Sequence, residues 1–381
     1  MDINSKRRKL LENISFGSNV SHSIPFKCYS NSKIFKFELS NIFKSNWIGV
    51  GHLKNLAKQG DYYCKNILDK NFIFIRDKNL VLRAFLNTCR HRGAKLLEDS
   101  GNTNVIRCPF HSWAYGLDGK LVASPKMNEL QDFIKSDYGL IEFKTLEVLG
   151  FIFICFEKNV ISQNEFLDNF EEIHSPWPFK DLVATRTRTF NVKCNWKIFL
   201  EVFNEHYHLP YIHPDTIGDI YNDPNPPDQT NGSFVSQYGD TKGTGALLEK
   251  EQNFALPNMK NLNKRFLNGV RYTWIYPNLT FAVGRDSMWM YVVNPVDKDN
   301  SEITQSTCFP KNIIYSDEFK TKSKFYYSRM DAAIEEDITA LENQQDGLKS
   351  SINLQGRFAP LLEANVSEFA KWYSKQILSV N

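Results

Sequence analysis

Two short cysteine–histidine pairs constrain this chain more than any other feature. Cys89-Arg90-His91 is a C-x-H and Cys108-Pro109-Phe110-His111 a C-x-x-H, with 16 residues between His91 and Cys108. Gly93 and Pro109 mark both as tight loops, because glycine frees the backbone and proline fixes it. Thiolates and imidazoles carried on two loops act together only if the fold sets those loops around one metal centre. Two of each suit a tetrahedral zinc or a [2Fe–2S] cluster. The order favours the cluster: each loop gives one Cys and one His, whereas zinc fingers pair Cys with Cys and His with His. Cys28, Cys64, Cys155, Cys194 and Cys308 show no ligand spacing and read as core thiols.

A second dense stretch runs from Asn195-Trp196-Lys197 through Glu201 to Glu205-His206-Tyr207-His208-Leu209-Pro210-Tyr211-Ile212-His213-Pro214. Residues 195–208 read as a helix that Pro210 interrupts, so Glu205 and His208, three apart, share a face. His213 lies beyond the interruption and can swing back towards His208. Two neutral imidazoles and one carboxylate make the facial ligand set of mononuclear non-haem Fe(II) sites, which keeps positions open for O₂ and substrate. The carboxylate has to come from elsewhere. A long helical pattern over Glu318–Leu348 carries Glu335-Glu336-Asp337-Ile338; Asp337 is the first choice and Glu336 the second.

Composition places both sites in a globular protein. Of 381 residues, 42% are apolar and 23% charged, enough to bury a large core. Lys and Arg number 46 against 43 Asp and Glu, too balanced for a dedicated nucleic-acid binder. The longest apolar run, Val148–Phe156, has nine residues where a membrane span needs ~20. Seven cysteines, an odd number, without an export signal point to free thiols and a cytoplasmic protein.

Along the chain, a short basic helix is expected over Arg7–Glu12. From about Trp47 to Phe156 the pattern is short strands and turns, such as Asn71–Arg76 and Leu80–Asn87 around Asp77-Lys78-Asn79. Arg186–Lys193 is strand-like. Asp215–Lys250, rich in Asp, Asn, Gly and Pro, reads as a long loop or flap. Tyr272–Tyr276, Leu279–Val283, Met288–Val293 and Ile303–Phe309 form an antiparallel series, and a last helix covers Val366–Leu378. The fold class is α+β, an all-β module followed by helices packed on an antiparallel sheet.

The two constellations together resemble the oxygenase (α) component of Rieske non-haem iron ring-hydroxylating-type oxygenases, from about Phe26 to the last helix. The cluster loops, the Asn-Trp-Lys … Glu-x-x-x-Glu-x-Tyr-His-x-Pro-x-x-His-Pro segment and the late Glu-Asp-Ile carry the likeness. It implies an N-terminal helical segment over 1–44 packed on the catalytic domain, a Rieske [2Fe–2S] domain over 45–156 and a helix-grip catalytic domain over 157–381. It implies that Cys89, His91, Cys108 and His111 hold the cluster, and that His208, His213 and Asp337 hold Fe(II). Glu205 is then the carboxylate linking His208 to His111 of the partner subunit in a homotrimer. O₂ is the co-substrate. Because no Gly-x-Gly-x-x-Gly follows Gly243-Thr244-Gly245, electrons are expected from a separate NAD(P)H-dependent flavin reductase, with or without a ferredoxin. Phe110, Ser112, Val202 and Glu205 depart from the commoner pattern without removing a ligand.

Within that family the Glu bridge and Pro214 resemble the branch acting on quaternary ammonium compounds such as glycine betaine, carnitine, choline or stachydrine. Hydroxylation at an N-methyl or adjacent carbon there gives a carbinolamine that sheds an aldehyde. Such a cation needs aromatic faces, for which Trp274, Trp289 and Tyr291, with Tyr272 and Tyr276, are candidates. A betaine carboxylate would need a cation, Arg271 or Arg285. The alternatives are an aromatic-ring mono- or dioxygenase or O-demethylase with an apolar slot, an electron-transfer Rieske protein without oxygenase chemistry, and a zinc-stabilised binding module.

Overall fold

The computed structural model describes residues 22–52, 56–157, 160–350 and 354–379. The helix expected over Arg7–Glu12 lies outside them. The chain divides into two compact units, Met1–Gly51 with Asn159–Asn381, and His52–Lys158.

In the smaller unit, strands alternate with turns as the apolar patterning demands. The antiparallel order is Phe151–Cys155, Glu142–Val148, Leu82–Leu86, Lys70–Arg76, Asp61–Ile67 and Ser100–Asn102. A three-stranded sheet of Ile106–Arg107, Ala114–Tyr115 and Leu121–Ala123 carries the second cysteine loop. Ile73, Ile75, Phe85, Ile106, Trp113 and Tyr115 form one buried cluster with Cys89 and Cys108. Asn87, also buried, fixes the first loop: its side-chain oxygen accepts from the Leu96 and Leu97 amides, both at 3.0 Å.

The larger unit is built on a seven-stranded antiparallel sheet. Its order is Leu182–Val192, Asn300–Pro310, Met288–Asp297, Leu279–Val283, Gly269–Ile275, Phe234–Thr241 and Tyr221–Pro224. The expected loop over Asp215–Lys250 is corrected here, since its middle supplies the last two of these strands. Its polar residues suggested a loop, but Ser236 and Gln237 are fully buried. Hydrogen bonds hold them: Gln237 Nε2 donates to the Asn225 and Leu361 carbonyls at 2.8 and 3.0 Å, and Ser236 Oγ accepts from Arg271 Nη1 at 2.9 Å.

Helices pack on this sheet. Asp317–Ser350 runs 34 residues, and Asp331 on it is ion-paired at 2.9 Å with both Arg186 and Arg188 of the first strand. Ala364–Ser379 closes the chain's described part. The helix expected over 195–208 is shorter, Trp196–Phe203, with the Asn195 side chain capping its N-terminus by accepting from Lys197 N. Pro210 does not interrupt that helix. It lies in the first turn of a separate short one, Leu209–Ile212, where a missing N–H costs nothing. Glu205 and His208 therefore sit in the turn between two helices, not on a helix face. The N-terminal elements Lys27–Ser30, Ser32–Glu38 and Leu39–Phe43 belong to this unit as well. Glu38, fully buried, accepts from Lys197 Nζ at 2.7 Å and Trp196 Nε1 at 2.9 Å. Among the described residues no helix is long and apolar enough to cross a membrane.

Candidate functional site

The two cysteine loops are built alike. Cys89 N donates to Ala94 O and Cys108 N to Trp113 O, each at 2.8 Å. Gly93 N returns to Cys89 O and Ser112 N to Cys108 O, at 2.9 and 3.1 Å. The equivalent turn positions, Gly93 and Ser112, are left-handed, with φ of +77° and +59°. Serine there carries a side chain in a conformation that glycine adopts freely, at a cost of about 1–2 kcal/mol.

The loops bury both thiols and leave the imidazoles outermost, His91 half-buried and His111 exposed. The two imidazole rings are 4.8 Å apart, and His91 stacks on Trp113 at 4.9 Å. His91 Nδ1 is buried without a hydrogen-bond partner, as expected of an atom that faces a metal. A single tetrahedral ion would hold its ligand atoms ~3.3–3.8 Å apart, given bonds of about 2.0–2.3 Å. Among the described residues only one group brings three ligand atoms within 4.8 Å, and it contains none of these four. One Cys and one His on each of two alike loops fit a two-iron cluster better than a zinc. Tyr115 was not foreseen: its hydroxyl accepts from Arg90 N at 3.0 Å and lies 3.3 Å from Cys89 Sγ, its own hydrogen free for the thiolate. Hydrogen bonds to cluster sulfurs tune the reduction potential.

The group within 4.8 Å is His208, His213 and Asp337. Asp337 Oδ1 lies 3.0 Å from His213 Nε2 and 3.6 Å from His208 Nε2, and is buried without a hydrogen-bond partner. Both imidazoles turn Nε2 inward because carboxylates hold the other nitrogen. Glu205 Oε1 is hydrogen-bonded to His208 Nδ1, and Glu336 Oε2 lies 2.6 Å from His213 Nδ1. Such partners fix the tautomer and increase ligand basicity. Burial alone would lower the His208 pKa, but the hydrogen bond and charge of Glu205, with the charge of Asp337, raise it above the ordinary histidine value. Glu336, the second choice for ligand, thus stands behind His213, where it also accepts from Thr216 Oγ1 at 2.7 Å. The donor set, with an orphaned carboxylate oxygen at its centre, fits a divalent iron with open positions.

A cavity adjoins the triad, lined among others by Phe203, His206, Tyr272, Trp289, Tyr291 and Arg329. Trp289 and Tyr291 are there as expected, but Trp274 is not. It is fully buried, stacked on Phe369 at 4.0 Å, with its Nε1 donating to Pro277 O. Arg271 and Arg285 do not line the cavity either, and Arg271 is ion-paired with Asp228. The cation that does is Arg329, which sequence reasoning missed. Its signal was spacing: Arg329, Ala333 and Asp337 stand four apart on one helix, hence on one face. His206 also lines the cavity; burial, with the charge of His208, pushes its pKa down to about 4.

Comparison with known proteins agrees with this geometry. Residues 46–134 match the Rieske [2Fe-2S] domain, and residues 179–379 match the ring hydroxylating alpha subunit catalytic domain. The carnitine monooxygenase oxygenase subunit of Acinetobacter baumannii is 28% identical over 90% of this chain and 89% of its own length. The chloroplastic choline monooxygenase of Beta vulgaris is 25% identical over 91% of this chain and 75% of its own. A solved quaternary ammonium Rieske monooxygenase, described in terms of carnitine oxidation and inter-subunit electron transfer, superposes with a TM-score of 0.80. It shares 27% identity, over 94% of this chain and 96% of that one. The chain belongs to the Rieske non-haem iron oxygenase family, as a ring-hydroxylating-type α (oxygenase) subunit.

Proposed function

We propose that this chain is the oxygenase component of a monooxygenase that oxidises a quaternary ammonium compound at an N-methyl or adjacent C–H. The supporting observation is the cavity at the triad: beside His208, His213 and Asp337 the Phe203 ring lies 4.7 Å from that of Tyr291 and 5.4 Å from that of Tyr272. Aromatic faces attract an ammonium that cannot donate hydrogen bonds. The relatives named for carnitine and choline favour the same substrate class.

Cys89, His91, Cys108 and His111 would hold the cluster; His208, His213 and Asp337 would hold the mononuclear iron. When bound, these groups supply one-electron transfer and O₂ activation, chemistry that side chains cannot provide. The chain's own residues do the positioning. Glu205 and Glu336 orient the two imidazoles, and the buried wall of Tyr272, Trp289 and Tyr291 keeps water from the substrate. Glu205 serves in addition as the link towards His111 of the partner subunit in a homotrimer, which the exposure of His111 favours. Electrons come from a separate flavin reductase in the cytoplasm.

The test is substrate-dependent O₂ consumption by iron-loaded protein with a generic reductase, with formaldehyde or another released aldehyde read alongside. Glycine betaine, carnitine, choline and stachydrine are compared with benzoate and a phenolic ether. Coupled uptake with a quaternary amine is expected. Uptake with only the aromatic compounds would overturn the reading.

A further inference from the structure

Arg329 is the one residue of the cavity wall whose charge the site does not explain. It is 3% exposed, and among the described residues it forms no ion pair with a carboxylate. Its Nη2 donates to Tyr221 Oη at 3.0 Å and Nη1 to the weak acceptor Met330 Sδ at 3.4 Å. Nε is buried with no partner at all. The partner is a hydroxyl and not a carboxylate, so it satisfies a hydrogen without supplying a counter-ion. Neither carboxylate lining the cavity is paired with it: Glu205 is hydrogen-bonded to His208, and Asp337 Oδ1 faces the two Nε2 atoms at 3.6 and 3.0 Å. A guanidinium out of water and without a counter-ion is costly, and proteins keep such groups where a ligand completes them.

Its position also matters. Arg329 lies two helical turns before Asp337, about 12 Å along the axis, with Ala333 between them on the same face. The small alanine leaves that stretch of wall low. The guanidinium carbon is 5.1 Å from the centroid of the Trp289 ring and sets a positive charge over that aromatic face. A purely cationic substrate would meet this charge as repulsion. A substrate with its ammonium among Phe203, Tyr272 and Tyr291 and an anion at the far end would not.

We infer that Arg329 is the carboxylate-binding residue of the substrate cavity, and that the substrate is a zwitterion, a quaternary ammonium carboxylate, and not an amino alcohol. This deepens the function proposed above and rests on it. Arg–carboxylate pairs are bidentate and strong when desolvated, so the anion fixes which methyl group faces the triad. Trp289 becomes the platform of the guanidinium and not part of the ammonium cage.

The experiment is calorimetric binding to the cluster- and iron-containing protein, with turnover measured in parallel. The probes are carnitine, its methyl ester, choline and benzoate. Wild-type protein is expected to bind carnitine at least ~10-fold more tightly than the ester, which differs by the lost charge. Arg329→Gln should weaken carnitine ~100-fold and change the ester less than ~3-fold; Arg329→Lys should fall between. Equal affinity for carnitine and its ester in the wild type, which needs no variant to fold, would overturn the inference. So would unchanged carnitine binding in Arg329→Gln. Turnover of choline and the ester on a par with carnitine would refute the inference while leaving the quaternary ammonium function intact. Binding and turnover of benzoate alone would refute both.

Discussion

His213 is held from both sides by consecutive residues of one helix: Glu336 Oε2 lies 2.6 Å from its Nδ1 and Asp337 Oδ1 lies 3.0 Å from its Nε2. A single turn of the long helix thus supplies the candidate ligand and the carboxylate that aims the neighbouring ligand. The ring is 99% shielded at its side chain, so nothing else competes for either nitrogen. This pairing explains why two adjacent acids occur where only one can bind metal.

Removing the supporting acid should loosen the metal without unfolding the protein. Glu336→Ala is expected to lower mononuclear iron affinity by about 10–100-fold, the usual effect of losing such a partner. The [2Fe–2S] absorbance should stay unchanged. Iron titration of cluster-containing protein checks this; unchanged affinity would remove Glu336 from the site.

Glu205 is hydrogen-bonded to His208, and the proposed function gives it a second duty as the link to the partner subunit. With iron supplied to saturation, Glu205→Ala should contain both centres yet turn over at less than about a tenth of the wild-type rate. Turnover above that level, at full metal content, would sink the linking role and leave only the orienting one.

The buried pair Lys197–Glu38 ties the N-terminal helices to the catalytic unit. Nζ and Oε1 are 2.7 Å apart and both side chains are fully buried. Lys197→Met strands a carboxylate out of water and should cost about 3–5 kcal/mol in denaturant unfolding. Replacing both, by Glu38→Leu with Lys197→Met, should recover much of that loss. A double variant as unstable as the single one would mean that packing, not charge, dominates.

Acid stability should report His174. Burial, with the charge of Arg271, pushes its pKa down to about 3, and the ring bonds to Phe170 O and Thr273 Oγ1 at 2.7 and 2.8 Å. A histidine depressed in the folded state takes up its proton first in the unfolded chain. Its contribution is therefore complete above the ordinary value of about 6.5 and is lost as pH falls below it, by roughly 1 kcal/mol at pH 5.5. His174→Gln should lose less stability between pH 7 and 5.5 than wild type does. Equal losses would place the acid sensitivity elsewhere.

Much of this was legible before any coordinates, for physical reasons. Metal ligands must be particular residue types at fixed spacings, so Cys89, His91, Cys108, His111, His208 and His213 stand out from sequence as candidates. The strands from Gly269 to Pro310 were legible because short runs rich in aromatic and branched residues are set off by turns, although Gly269–Ile275 proves buried on both faces. The Phe234–Thr241 strand was not, because Ser236 and Gln237 look like loop residues until their hydrogen bonds are seen. Trp274 shares strand and face with Tyr272, yet one packs on Phe369 and the other lines the cavity. Alternation gives the face of a strand but not what covers it. Arg329 escaped notice because a lone arginine in a charged helix reads as solvated, and only burial shows that it is not.

The most direct measurement of the two-centre arrangement is iron and acid-labile sulfide per chain in wild type and in Asp337→Ala. Wild type should contain about three irons and two sulfides, and the variant about two irons with sulfide unchanged. An iron content that Asp337→Ala leaves unaltered, or zinc in place of the sulfide-bearing cluster, would contradict the assignment of both sites.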